Sequence, residues 1–184
     1  MSLKYQHRHH AGNFGDVLKH VLLVDLLRRL AVKEKPYFYL DTHAGRGEYA
    51  IDEIAGREAA QGVLKVMAAG PQAPEIRAWL NLIRKNDAGD ATGALRIYPG
   101  SPRLAQLLLR PTDRAAFFEL APREAEALSA ILGQDKRLHI ECGDGYQAMK
   151  ALLPPRERRG LVLIDPAYER QDKDILEMDV IDEQ

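Results

Sequence analysis

The densest chemistry in this chain stands at Asp165-Pro166-Ala167-Tyr168, directly after the apolar run Leu161–Ile164. A strand that ends this way delivers a carboxylate, a rigid carbonyl and an aromatic ring to one place. Together they suit a planar base carrying an amino group. Asp165 and the Pro166 carbonyl can accept the amino hydrogens, which draws the nitrogen lone pair out of conjugation and aims it at an electrophile. Tyr168 can stack on the ring, as enzymes that act on a flipped-out base require. A turn after a buried strand explains the proline but not the whole set.

Three more signals stand after apolar runs. The first is Asp41-Thr42-His43-Ala44-Gly45-Arg46-Gly47, whose two glycines let a ligand approach the backbone. It lacks the Gly-Lys-Ser/Thr of a phosphate-cradling loop. The second is Glu119, which ends Phe117-Phe118-Glu119 and can accept hydrogen bonds from both ribose hydroxyls of a nucleoside. The third is Gly143-Asp144-Gly145, where Asp144 can accept from an adenine amino group and Gly145 leaves room for the ring. Each has a plainer reading: a strand-to-helix turn, a solvated carboxylate, an Asp-Gly turn.

A fifth group lies near the start: Tyr5, His7, Arg8, His9, His10, Lys19 and His20. No carboxylate or cysteine nearby completes a ligand set for the histidines, so no metal is expected. A basic arm bearing an aromatic ring, packed over the site and touching RNA phosphate, fits these residues better. A solvated terminus is the alternative.

The elements that must position these residues alternate. Asp16 can cap a helix running to Leu30, apolar nearly all round and therefore expected to be largely buried. A strand follows at Tyr37–Asp41. Residues 52 to about 93 read as helices without a strand, a helical insertion after the first strand. A short strand near Leu95–Tyr98 leads to Ser101, an N-cap with Pro102 at the first helical position, and a helix to Arg110. Ala116–Leu120, Leu138–Cys142 and Leu161–Ile164 read as strands, and Pro122–Leu132 and Tyr146–Leu153 as helices. This alternation predicts an α/β fold with a parallel sheet covered on both faces. In such a sheet ligands sit at the carboxyl ends of the strands, where the four strand-end signals fall.

Composition narrows the classes. At 184 residues the chain is one domain, residues 1–184, with residues 52–93 inserted in it. A formal net charge of -1 leaves any nucleic-acid site to a local patch. The single cysteine, Cys142, allows no internal disulfide and fits a reducing cytoplasm. No apolar run is long enough for a membrane span or the core of a signal peptide.

Taken in order, Tyr5-x-His7, His10-Ala-Gly-Asn13, Asp16-Val-Leu-Lys-His20, Tyr39-Leu-Asp-Thr-His-Ala-Gly45, Tyr98-Pro-Gly-Ser-Pro102 and Arg159-Gly-Leu-Val-Leu-Ile-Asp-Pro166 resemble the bacterial 23S rRNA adenine-N6 methyltransferases of the RlmJ type. The resemblance covers residues 4 to about 169. It implies a Rossmann-like, class I fold that uses S-adenosylmethionine (SAM), and methylation of one adenine of 23S rRNA (2030 in the family), met as free or early-assembly RNA. It carries the cofactor contacts onto His20, His43, Ser101, Glu119, Asp144 and Gly145. It places the catalytic carboxylate at Asp165, with Pro166 and Tyr168, and the RNA contacts at Tyr5, His7 and Lys19.

Two departures from the family pattern stand out. Ala167 replaces a proline, which should slow turnover without abolishing it. The family also continues well beyond this chain, which departs from its pattern after Glu169 and ends in an acidic tail. The sheet should then lack its last strands, and the strand at Leu161–Ile164 should present an open apolar edge through which the protein could self-associate. Three other readings stay open: a dinucleotide-binding oxidoreductase, which leaves Asp165–Tyr168 unexplained; methylation of a protein amide, against which the basic arm argues; and a non-catalytic SAM- or RNA-binding remnant.

Overall fold

The computed structural model describes residues 11–54, 58–70, 72–87 and 94–166. Its centre is a four-stranded parallel sheet in the order β5-β4-β1-β6. The strands are β1 (Phe38–Asp41), β4 (Arg114–Glu119), β5 (Leu138–Cys142) and β6 (Gly160–Leu163). The register pairs Asp41 with Phe117 on one side and with Leu163 on the other, and Glu119 with Cys142. The α/β class and the parallel sheet expected from the alternating pattern are therefore present.

Side-chain parity along the strands sorts the core. Tyr37, Tyr39, Ala115 and Phe117 point to one face, where they pack with Leu23 and Leu27 of α1 (Phe14–Ala31), Ala105 of α5 (Ser101–Leu108), and Leu128 and Leu132 of α6 (Pro122–Leu132). Phe38, Leu40, Ala116 and Phe118 point to the other face, against Tyr146, Ala148 and Met149 of α7 (Gly145–Leu152).

A second apolar cluster gathers the short helices α2 (Ile51–Ile54) and α3 (Val63–Ala68), the helix α4 (Pro74–Asn86) and a small antiparallel ribbon. The ribbon pairs β2 (Glu48–Ala50) with β3 (Ile97–Pro99). Strand β2 was not anticipated, and β3 joins it rather than the central sheet. Among the described residues of 52–93 the regular structure is helical.

Helix α1 lies between the two clusters, giving Leu23 and Leu27 to the first and Val17 and Val24 to the second. Its start differs from the expectation. Asn13 is the cap, its Oδ1 accepting the Asp16 N–H at 2.9 Å, while Asp16 Oδ2 accepts the Gly12 N–H at 2.9 Å. Spacing decides this: an N-cap side chain accepts the N–H three residues on, and Asn13 stands three residues before Asp16. Nor is α1 buried all round. Two faces satisfy the two clusters, and the remaining apolar residues, Phe14, Leu18, Leu22 and Leu26, form an exposed ridge at every fourth position. The helix also runs beside the outer strand β6. Lys19 meets Asp165 at one end, and the Arg159 guanidinium bonds the Leu30 carbonyl at the other.

Helix α5 begins at Ser101 with Gly100 as cap, one residue before the expected start. The central strands β1 and β4 are almost wholly buried. The outer strands β5 and β6 are not, and β6 is an edge among the described residues.

Candidate active site

The carboxyl ends of the four parallel strands bring the four strand-end signals to one end of the sheet. At the tip of β1, Asp41 is fully buried, and burial pushes its carboxyl up to about 6 against hydrogen bonds from Ser101 and Tyr39 and the charge of Lys19. The Tyr39 hydroxyl donates to its Oδ2 at 3.0 Å, and the His43 N–H reaches Oδ1 at 3.3 Å. Ser101, buried at the start of α5, is thereby joined to the end of β1. Sequence reading assigned Asp41 no role of its own. Period-two parity could have found it, because Tyr39 and Asp41 share a face.

After Asp41 the chain turns through Gly45 and Gly47, both with left-handed backbone, at φ 63° and 85°. This conformation is one that only glycine adopts at little cost. Arg46 between them makes a two-pronged pair with Glu124 of α6, both contacts at 2.8 Å, which fixes the turn. His43 is half-buried, its Nδ1 2.8 Å from the Thr42 hydroxyl and its ring edge-on to Tyr146.

Glu119 is buried at the tip of β4. Its Oε2 accepts the Gly45 N–H and its Oε1 the Ala121 N–H, each at 2.8 Å. The residue therefore ties the glycine turn to β4. Asp144 is exposed and is the N-cap of α7, its Oδ1 accepting the N–H groups of Tyr146 and Gln147 at 2.8 and 3.3 Å. Gly145 is required for a packing reason: a Cβ there would stand 2.2 Å from the Thr42 carbonyl oxygen.

Beyond β6, Asp165 takes the Lys19 ammonium on Oδ2 at 2.5 Å, and the same ammonium lies 2.6 Å from Asp16 Oδ1. Burial opposes the Lys19 charge, but the two carboxylates outweigh it and raise the ammonium well above its ordinary value. Lys19 thus holds the two carboxylates together. Its neighbour His20 is buried, with Nδ1 2.7 Å from the Tyr98 hydroxyl. Burial pushes this imidazole down to about 4, so it is neutral near pH 7. The Thr42 N–H and hydroxyl both bond the Leu163 carbonyl, pinning the ends of β1 and β6 together just before Asp165.

Asp165 and Pro166, with Lys19, His20, His43, Ser101, Glu119, Asp144 and Gly145, therefore share one end of the sheet. Tyr5, His7, Ala167, Tyr168 and the acidic tail lie outside the described residues. Among the described residues no group of three His, Cys, Asp or Glu is placed to hold a metal, and no helix is long and apolar enough to cross a membrane.

Residues 34–183 match the family model described as ribosomal RNA large subunit methyltransferase D, RlmJ. The match runs through most of the acidic tail, which corrects the expectation that the chain departs after Glu169. Two curated relatives are each named ribosomal RNA large subunit methyltransferase J. The one from Haemophilus influenzae is 41% identical, with 98% of this chain and 65% of the relative covered. The one from Escherichia coli K12 is 42% identical, with 91% and 60% covered. The crystal structure of protein LPL1258 from Legionella pneumophila, described as DUF519, superposes with a TM-score of 0.81 at 39% identity and covers 90% of this chain and 62% of its own. The chain thus spans less than two thirds of the length of each of these proteins.

Proposed function

The chain belongs to the RlmJ family of ribosomal RNA large subunit methyltransferases, and from that premise we propose that it methylates the exocyclic N6 of an adenine in 23S rRNA, using SAM. The observation that carries this reading is Asp165 at the tip of β6, followed by Pro166 and held by Lys19 where Thr42 pins the end of β1 to β6.

The residues fit the cofactor. Two left-handed glycines let its backbone-contacting part approach β1, Glu119 stands at the tip of the next strand as an acceptor for ribose hydroxyls, and exposed Asp144 can accept from an adenine amino group. His20, His43, Ser101 and Gly145 would complete the cradle. When bound, SAM supplies an electrophilic methyl group on a sulfonium. Asp165 and the Pro166 carbonyl accept the hydrogens of the adenine amine and turn its lone pair out of the ring. Asp165 then receives the proton that the amine gives up. Tyr168 stacks on the base, and Tyr5 and His7 engage RNA. Most of the rate comes from this positioning and from charge arranged in advance. The substrate is free or early-assembly RNA in a bacterial cytoplasm.

The direct test is transfer of labelled methyl from SAM to unmethylated 23S rRNA, followed by nucleoside analysis. N6-methyladenosine at one site is expected. Methyl on another atom, or none even when the remaining portion of a full-length relative is supplied, would overturn the proposal.

A further inference from the structure

The Asp16 carboxylate is used on both sides. Oδ2 accepts the Gly12 N–H at the start of α1, and Oδ1 stands 2.6 Å from Lys19 Nζ, whose other partner is Asp165. The three side chains are mostly shielded, with exposures of 18% for Asp16, 22% for Lys19 and 35% for Asp165. The most open member is the one proposed to face the acceptor. His20, next in the chain, is neutral and adds no charge.

Charge counting gives this arrangement a consequence. Lys19 paired with Asp165 alone would be a closed neutral pair, with the carboxylate's negative charge consumed by the ammonium. Two carboxylates sharing one ammonium leave a net charge of minus one. Methylation of an amine by a sulfonium moves positive charge onto the amine nitrogen in the transition state. Negative charge fixed beside that nitrogen before reaction stabilises it without reorganisation.

We propose that Asp16 is the positioning residue that sets the charge of the acceptor site: it holds the Lys19 ammonium between two carboxylates, so that Asp165 meets the amine with net negative charge behind it. This rests on the methyltransferase reading and adds to it a residue that does not touch the substrate.

A purely structural role for Asp16 as part of the helix cap makes a different prediction, and Asp16→Asn separates the two. Asparagine keeps an oxygen for the Gly12 N–H and removes the charge. The proposal expects this variant to melt within a few degrees of the parent, to lose about ten- to a hundredfold in kcat on 23S rRNA, and to keep the KM for SAM within about twofold. Asp16→Glu, which retains the charge, should recover most of the rate. A second readout needs no turnover: Lys19, with one carboxylate removed, should react several-fold faster with an amine-labelling reagent at alkaline pH, measured by peptide mass spectrometry. Parent-like kcat in Asp16→Asn, failure of Asp16→Glu to recover rate, or unchanged labelling of Lys19 overturns the proposal. A parent protein that transfers no methyl to rRNA, even when the remaining portion of a full-length relative is supplied, strikes instead at the function proposed above, and the labelling experiment still decides whether Asp16 holds Lys19.

Discussion

The two halves of the site hold their carboxylates in opposite ways. In the half proposed for the cofactor, Glu119 and Asp144 are gripped by backbone N–H groups of nearby turns and a helix start. In the half proposed for the acceptor, Asp165 is gripped by one mobile-stemmed ammonium, that of Lys19, 146 residues away in the chain and shared with Asp16. Backbone donors belong to the fold and remain whatever the side chains become. An ion pair exists only while both partners are present. The cofactor half should therefore degrade gradually under mutation, and the acceptor half abruptly.

The largest effect should come from Asp165→Ala. Methyl transfer should fall by about a hundredfold or more, as for loss of a proton acceptor in the transition state, while calorimetry shows SAM affinity nearly unchanged. Loss of SAM binding in this variant would erase the distinction between the halves.

Glu119→Ala should weaken SAM by about 1–3 kcal/mol, the usual range for charge-assisted hydrogen bonds. It should also lower the melting temperature, since the Gly45 and Ala121 N–H groups lose their acceptor. Parent-like affinity would remove Glu119 from the cofactor site.

Adding the portion that completes a full-length relative, fused or in trans, should raise both melting temperature and turnover, because β6 is an edge among the described residues. Without it, size-exclusion chromatography should show self-association. A monomer with full activity on rRNA would show that the edge is harmless.

The smallest effects concern charge. His20 has a folded value lowered from 6.5 to about 4, so the unfolded chain binds more protons between those limits. Its contribution to stability is therefore lost as pH falls from about 6.5 towards 4. Asp41 runs the other way: its folded value is raised from 3.8 to about 6, so its contribution is lost as pH rises through that window. His20→Gln should flatten the first slope and Asp41→Asn the second in melts across pH 4–7. For Lys19→Ala, the salt slope of RNA binding should be unchanged if its partners are carboxylates alone. A slope flatter by about one contact would restore a phosphate role.

Much of the fold was legible because its signals are local. The apolar runs ending in Asp41, Glu119, Cys142 and Ile164 marked strands, and the acidic or glycine residues after them marked the functional end of the sheet. The turn at Gly143–Gly145 was visible as a turn, and Asp144 proves to be a helix cap. The β2–β3 ribbon was not legible. Its strands are three residues long, and pairing Tyr49 with Tyr98 depends on helices in between. The Asp16–Lys19 contact lies within one turn of helix, but its meaning depends on Asp165, which no short-range pattern connects to α1. The exposed ridge of α1 escaped notice for a related reason: an all-round apolar helix says how much surface it can bury, not how many neighbours it has.

The start of α1 has one more consequence. The Gly12 carbonyl accepts the Val63 N–H at 2.8 Å, and a Cβ on Gly62 would lie 2.0 Å from that carbonyl oxygen. This close backbone contact rivets the start of α1, and with it Asp16 and Lys19, to the start of α3, so the acceptor half of the site takes its footing from the second apolar cluster.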